Sequence, residues 1–321
     1  MDFLKEYSEN IDRELRSLAI PESPSNLYDP LRYFFTMGGK RIRPILTLLA
    51  AEKFGSKNHE AMPAALAIEI FHNFSLIHDD IMDEAPVRRG KETVHKKWDT
   101  NIAILSGDVL LIKAYQQLNT YPENILKELH TVFNKTAIEV CEGQQMDMDF
   151  ENISTISRSN YLEMIKLKTS VLLGCALKIG AIIAGANQTE QQQLYDYGIN
   201  MGIAFQIQDD LLDLYGDPSL VGKQVGGDII ANKNTLLMIL AKEDANSDQL
   251  NRINELTKEL NSEAKIQGVL TLFEQLNVND KCAKLMNSYY DSAQGHLNNI
   301  ESKSNKSALW RLTNALQHRA Y

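Results

Sequence analysis

Between Glu60 and Met82 the apolar residues Leu66, Ile70, Phe74, Ile77 and Ile81 recur at intervals of four, four, three and four. That spacing follows the 3.6-residue period and commits the stretch to a helix with one continuous apolar stripe. The stripe ends in Asp79-Asp80-Ile81-Met82-Asp83. On a helix Asp79 and Asp83 project from the same face, and Asp80 lies three residues before Asp83. Like charges at these spacings destabilise an isolated helix by roughly 0.2–0.5 kcal/mol per pair. A bound divalent cation offsets that repulsion; a solvated acidic helix end is the alternative. The rest of the chain has to decide between them.

Helical periodicity continues outside this stretch, and no run alternates convincingly with period two. Helices are expected over Phe3 to Leu18, then up to Met37, and from a start near Pro44, whose ring suits a first turn. More follow over Ile102 to Leu118, Pro122 to Met148, Ile156 to Ala184, Glu190 to Leu212, Lys233 to Ala245, most of Ser247 to Ile300, and Ser304 to Tyr321. Two longer loops, Glu84 to Asp99 and Gly216 to Asn232, carry Gly, Pro and Lys/Arg. The expectation is an all-α fold, a single domain over 1–321 of about a dozen helices, with its charged loops at one end.

Composition bounds the function. The net charge is −9 and no basic tail or run appears, which argues against a nucleic-acid partner. Cys141, Cys175 and Cys282 lie far apart with no CxxC, and read as reduced thiols of a cytoplasmic protein. The N-terminal residues alternate acids with apolar side chains and do not resemble a signal peptide. The most apolar window, Val171 to Ala186, contains Lys178 and three glycines and falls short of the ~20 apolar residues of a membrane span. A soluble protein without a stable membrane anchor is expected.

A second acidic cluster decides the first. Phe205-Gln206-Ile207-Gln208-Asp209-Asp210-Leu211-Leu212-Asp213 repeats the same spacing at the end of another apolar helix. Two such helices facing each other offer carboxylates to a hard cation. Mg²⁺ favours a few carboxylates completed by waters and ligand phosphates. Cations for a phosphorylated substrate accompany both clusters. Gly38-Gly39-Lys40-Arg41-Ile42-Arg43-Pro44 joins a flexible turn to a helix start, which suits phosphate. Arg88 and Arg89 follow the first cluster, Lys168-Thr169 sits in a mostly apolar helix, and Lys223 and Lys233 flank Gly226-Gly227-Asp228. Two diphosphate sites account for these cations together. His72, seven residues before Asp79, shares the face of the first cluster.

Taken together, these motifs and Gly143-Gln144-Gln145-Met146-Asp147 resemble those of the trans-isoprenyl diphosphate synthases of the polyprenyl synthetase family, from about Gly38 to Lys233. The resemblance implies an isoprenoid-synthase bundle around a central cavity. It implies a prenyltransferase joining isopentenyl diphosphate head to tail to an allylic diphosphate (dimethylallyl, geranyl or farnesyl), with three Mg²⁺ ions. Asp79 and Asp83 would hold two ions and Asp209 the third, with Asp80, Asp210 and Asp213 nearby through water. Arg88, Lys168 and Lys223 would contact the allylic diphosphate, and Lys40, Arg43, His72 and Arg89 the isopentenyl diphosphate. Gln206, Asp147 and Lys233 would neighbour the metals, and Gln206 with the carbonyls near Lys168-Thr169 would stabilise the allylic cation. A homodimer is the family habit.

The growing tail is expected to descend the helix that carries Asp79. Ser75 and Phe71 lie ~6 and ~12 Å below the metals by helix rise, and Phe74 occupies the position that the family associates with chain length. Two bulky phenylalanines with a small Ser75 favour a C20 product, geranylgeranyl diphosphate, over C15; farnesyl and longer-chain synthases are the alternatives. A terpene cyclase has no use for the Gly38 to Pro44 motif. A non-catalytic partner subunit should have lost acidic or cationic groups that are intact here, and a purely structural bundle would bind no diphosphate.

Overall fold

The stripe between Glu60 and Met82 becomes one long helix with a continuous buried face. A computed structural model of the chain describes residues 2–151, 153, 155–216, 226–300 and 307–317. After a 3₁₀ turn (Asp2–Leu4) come α1 (Lys5–Ser17), α2 (Ser25–Phe35), α3 (Ile42–Lys53) and α4 (Asn58–Met82). A hairpin, β1 (Val87–Arg88) and β2 (Lys91–Glu92), leads to α5 (Val94–Lys97), α6 (Thr100–Leu118) and α7 (Glu123–Glu151). Next are α8 (Arg158–Ile165), a π-helical turn (Lys166–Ser170), α9 (Val171–Ile183) and α10 (Gln188–Tyr215). The described elements end with α11 (Gly227–Ile230), α12 (Leu236–Asp244), α13 (Ser247–Leu256), α14 (Ser262–Gln275), α15 (Val278–Asn298) and α16 (Ala308–Gln317). The fold is all-α, as expected.

Three differences from the sequence reading have local causes. The loop after α4 contains an antiparallel hairpin, pairing Val87 with Glu92 and Arg88 with Lys91. Its two-residue connection, Arg89-Gly90, has φ of 52° and 75°, the sign pattern of the turn that matches strand twist. The Ile156 to Ala184 helix is interrupted by the π turn. The Ser247 to Ile300 stretch resolves into three helices. Asn246 and Gln249 form a reciprocal cap, Asn261 caps α14, and Asn277 before α15 has a φ of 50°.

The chain divides into two compact units, each assembled from separated segments. The first comprises residues 1–136, 172–195 and 307–309. At its centre α4 buries Ala61, Ala64, Ala65 and Ala67 along with Ile68, Ile70, Phe71 and Ile77. The alanines let α3 and α6 approach closely, and α1 adds Ile11 and Leu15. The second comprises residues 137–171, 196–306 and 310–321. Its core includes Ile207, Leu211 and Leu212 of α10 and the fully apolar Leu236 to Ala241 of α12. Buried polar pairs fix it further: Tyr290 donates to Gln208 Oε1 at 3.0 Å, and Tyr197 and Thr313 share a hydroxyl bond of 2.7 Å. Among the described residues no helix is long and apolar enough to cross a membrane.

Candidate active site

In the first unit, α4 carries functional side chains from its middle to its end. At its C-terminus the three aspartates separate by exposure: Asp80 is buried, Asp79 partly buried and Asp83 exposed. Burial without compensation is costly for a carboxylate, and the hairpin supplies the compensation. Arg88 Nε donates to Asp80 Oδ1 at 2.7 Å, and Arg88 Nη2 reaches Asp79 Oδ2 at 3.4 Å. Burial still pushes the Asp80 carboxyl up to about 6; Arg88 opposes this, while Asp79 and Asp83 add to it. Asp80 thus anchors Arg88 beside the cluster, and the more open Asp79 and Asp83 share a face, as the i, i+4 spacing requires.

A second group lies two turns back along α4. Arg43, in the first turn of α3, has Nη1 3.2 Å from His72 Nε2. A guanidinium only donates, so Nε2 accepts and Nδ1 carries the proton. Burial, followed by Arg43, Arg89, Arg88 and Arg41, holds the His72 pKa well below its ordinary value. The imidazole is therefore neutral near pH 7 and offers its Nδ1–H as a donor. From the hairpin, Arg89 donates to the Gly38 carbonyl, and a Cβ on Gly39 (φ 148°) would lie 2.8 Å from Arg89 Nη1. Glycine there lets the arginine lie across the turn. The first unit thus gathers Arg43, His72, Arg88, Arg89 and the first acidic cluster, and Lys40 belongs to the same unit.

The three chain-length candidates lie around His72 on α4, Phe71 just before it and Phe74 and Ser75 between it and Asp79. Phe71 is 1% exposed, its ring 5.5 Å from Phe74 and 5.3 Å from Phe133. Phe74 is only partly buried, with an edge contact to His78 at 4.8 Å. Ser75 donates to the His72 carbonyl at 2.8 Å.

In the second unit, the acidic cluster of α10 shows the same division. Asp210 is buried: its Oδ2 accepts the Tyr161 hydroxyl at 2.5 Å and the Leu236 N–H at 3.2 Å. Burial raises its carboxyl to about 7, against hydrogen bonds from Tyr161, Leu236 and Gln206. Asp209 and Asp213 remain partly exposed, and Asp213 Oδ2 accepts the Asp228 N–H at 3.2 Å. Lys233 pairs with Asp228 at 3.4 Å, and Lys168 with Asp147 at 2.5 Å. Thr169 Oγ1 is 3.5 Å from Gln206 Oε1. Lys223 lies outside the described residues.

Two glycines set the π turn that carries Lys168 and Thr169. A Cβ on Gly143 would fall on the main-chain nitrogen of Lys168 and 2.6 Å from the Leu167 carbonyl carbon. One on Gly202 would lie 2.6 Å from Ser170 Oγ and 2.8 Å from Ser170 Cα. Backbones of α7 and α10 therefore press directly on the turn, which closes through the Val171 N–H to the Lys166 carbonyl. Single π turns inside α-helices concentrate at functional positions.

Sequence reasoning missed Asp12, Glu69, Arg41 and Tyr161 as parts of these sites. Arg41 is buried between Asp12 Oδ1, 2.8 Å from its Nε, and Glu69 Oε1. One signal was visible: Glu69 is the only acidic residue from Ala61 to Ile77. Among the described residues no three His, Cys, Asp or Glu side chains could hold a metal by themselves. The donor set is all carboxylate oxygen, which suits a hard cation whose remaining ligands are water and phosphate.

Helices ending in paired aspartates, accompanied by guanidinium and ammonium groups, offer the residue types that metal-assisted chemistry on diphosphates requires. The polyprenyl synthetase family matches residues 24–274. A geranylgeranyl diphosphate synthase of Methanosarcina mazei is 44% identical over 246 residues, 76% of each chain. A geranylfarnesyl diphosphate synthase of Natronomonas pharaonis is 35% identical over 96% of each. A crystal structure of a geranylgeranyl pyrophosphate synthase superposes with a TM-score of 0.92 at 45% identity, covering 99% of both chains. The chain belongs to the polyprenyl synthetase family, and it is a prenyltransferase.

Proposed function

We propose that the chain condenses isopentenyl diphosphate head to tail with an allylic diphosphate and releases geranylgeranyl diphosphate, C20, in the cytoplasm. One observation carries this reading. A single helix, α4, bears Phe71, a neutral His72 bonded to Arg43, Phe74 and then Asp79, with Asp83 capping its end. Together these are parts of an anion site, an apolar floor and a cation site.

Three Mg²⁺ ions, two at Asp79 and Asp83 and one at Asp209, would supply neutralisation of the departing diphosphate. Asp80, Asp210 and Asp213 support these positions through Arg88, through Tyr161 and Leu236, and through Asp228. Arg88, Lys168 and Lys223 bind the allylic diphosphate and stabilise charge that grows as its C–O bond breaks. Arg43, Arg89, Lys40 and the Nδ1–H of His72 hold the second diphosphate, so that its double bond attacks the allylic cation. The proton lost afterwards goes to the released diphosphate, so no protein base is needed. Gln206 and the π turn stabilise the cation, and the apolar helix interiors exclude water from it. Phe74, partly accessible, forms the floor, while Phe71 braces it from below.

We further propose a homodimer. Leu105 and Ile112, 57% and 58% exposed and two turns apart on α6, form with Ile104 an apolar face suited to a second copy of the chain.

Purified chain, Mg²⁺ and isopentenyl diphosphate, supplied with dimethylallyl, geranyl or farnesyl diphosphate in turn, test the reading by chromatography of the products. C20 as the end product from all three primers supports it. C15 or C25 overturns the product length alone. Inactivity of the isolated chain would identify a non-catalytic partner subunit, and turnover of an allylic diphosphate without isopentenyl diphosphate a cyclase.

A further inference from the structure

A carboxylate in the middle of an apolar helix is expensive unless something pairs with it. Glu69 is such a residue: it is 2% exposed and lies three residues before His72 on α4. Its partner is the guanidinium of Arg41, equally buried, whose Nε is held from the other side by Asp12 of α1. Arg41 precedes α3 with a φ of 51°, a left-handed conformation that a non-glycine side chain rarely adopts. Such a conformation persists only where surrounding contacts over-determine it, and the two carboxylates supply those contacts. Arg41 is thereby committed to carboxylates, although it sits in the middle of the phosphate-type turn. Its neighbours Lys40 and Arg43 flank it, and Arg43 goes on to bond His72. Arg89, across the turn on Gly38, also feels Glu69, as Arg43 does.

We infer that Glu69, with Asp12, is a positioning residue of the isopentenyl diphosphate site: it locks Arg41 as a strut, which fixes the Gly38 to Arg43 turn and gathers Arg43 and Arg89 around the diphosphate. The inference rests on the substrate reading given above. Glu69 itself touches no substrate. Its charge lowers the mutual repulsion of guanidinium groups that must wait together for an anion. The N-terminal helix, through Asp12, becomes part of one substrate's site and not of the other's.

Steady-state kinetics of the Mg²⁺-loaded enzyme, with each substrate varied separately, distinguish this from a general structural role. Glu69→Gln is expected to raise KM for isopentenyl diphosphate about tenfold or more, as removal of one partner of a buried charge pair does. Its KM for the allylic substrate should stay within about twofold of wild type. Asp12→Asn, at a partly exposed side chain, should show the same one-sided shift, about three- to fivefold, and decides the matter if Glu69→Gln does not fold. An equal rise in both KM values, a fall in kcat alone, or no change in either variant would overturn the inference. A wild-type chain that does not consume isopentenyl diphosphate would instead overturn the substrate reading on which it stands.

Discussion

Phe71 and Phe74 stand three residues apart on one helix, and their surroundings give them different work. Phe71 is enclosed between Phe74 and Phe133, so its truncation opens a cavity. Phe71→Ala should cost about 3–5 kcal/mol of stability, seen as a lowered unfolding midpoint in denaturant. Phe74 is only partly buried, so Phe74→Ala should cost less than half as much and move the main product from C20 to C25 or longer. An unchanged product would place the floor elsewhere. The sequence marks both as chain-length candidates without separating their roles, because they belong to nearly the same helical stripe and Phe133, from α7, is what encloses Phe71. His72 supports a second expectation. Its folded pKa lies below the unfolded value of about 6.5. The unfolded chain therefore binds more protons below that pH, and stability falls as pH drops through it. In thermal melts from pH 7.5 to 5, the acid-side loss in Tm should be smaller for His72→Gln than for wild type. Equal losses would mean that His72 is protonated normally in the fold.

At the scale of elements, helices were legible wherever a long 3.6-residue stripe existed, and α4 was read to within two residues of its start. The π turn was not legible. It lies where Gly143 packs on Lys168 and Gly202 on Ser170, contacts between residues tens of positions apart. The sequence showed the Gly143 to Asp147 and Lys168-Thr169 motifs without showing that the glycine of one exists to admit the backbone of the other. A methyl group at either glycine must displace main chain, not a flexible side-chain tip. Gly202→Ala and Gly143→Ala should each lower kcat/KM for the allylic substrate by about 10–100-fold, the scale of a misplacement near 1 Å. KM for isopentenyl diphosphate, whose proposed residues lie in the other unit, should hardly move. Loss of both together would point to general unfolding, and circular dichroism separates that outcome. The hairpin escaped notice for a related reason: strands of two residues leave no alternation to read, and Arg89-Gly90 is a weaker turn signal than Asn-Gly.

At the scale of the molecule, all six aspartates were legible as a repeated spacing, yet the spacing alone assigned them no division of labour. Both clusters bury their middle residue, Asp80 or Asp210, against a partner from another element, and leave Asp79 and Asp83, or Asp209 and Asp213, more open. Those partners lie outside the clusters: the sequence offers Arg88 as a phosphate ligand and not as the partner of Asp80, and it gives no sign of Tyr161. The arrangement has a thermodynamic consequence. On the proposed reading, carboxylates, waters and substrate phosphates share the cation, so metal and diphosphate complete each other's sites. Each ligand that binds only the native state stabilises it by RT ln(1 + [L]/Kd), and ligands that improve each other's Kd stabilise more together than their separate effects predict. Melting curves with Mg²⁺ alone, inorganic diphosphate alone and both together should therefore be non-additive. Each alone should raise Tm by no more than about 2 °C, and the pair by about 6 °C or more. Asp79→Asn combined with Asp83→Asn should remove most of the excess while leaving the ligand-free Tm within a few degrees of wild type. A large shift with Mg²⁺ alone, or strictly additive shifts, would mean that the carboxylates bind metal as a preformed cage.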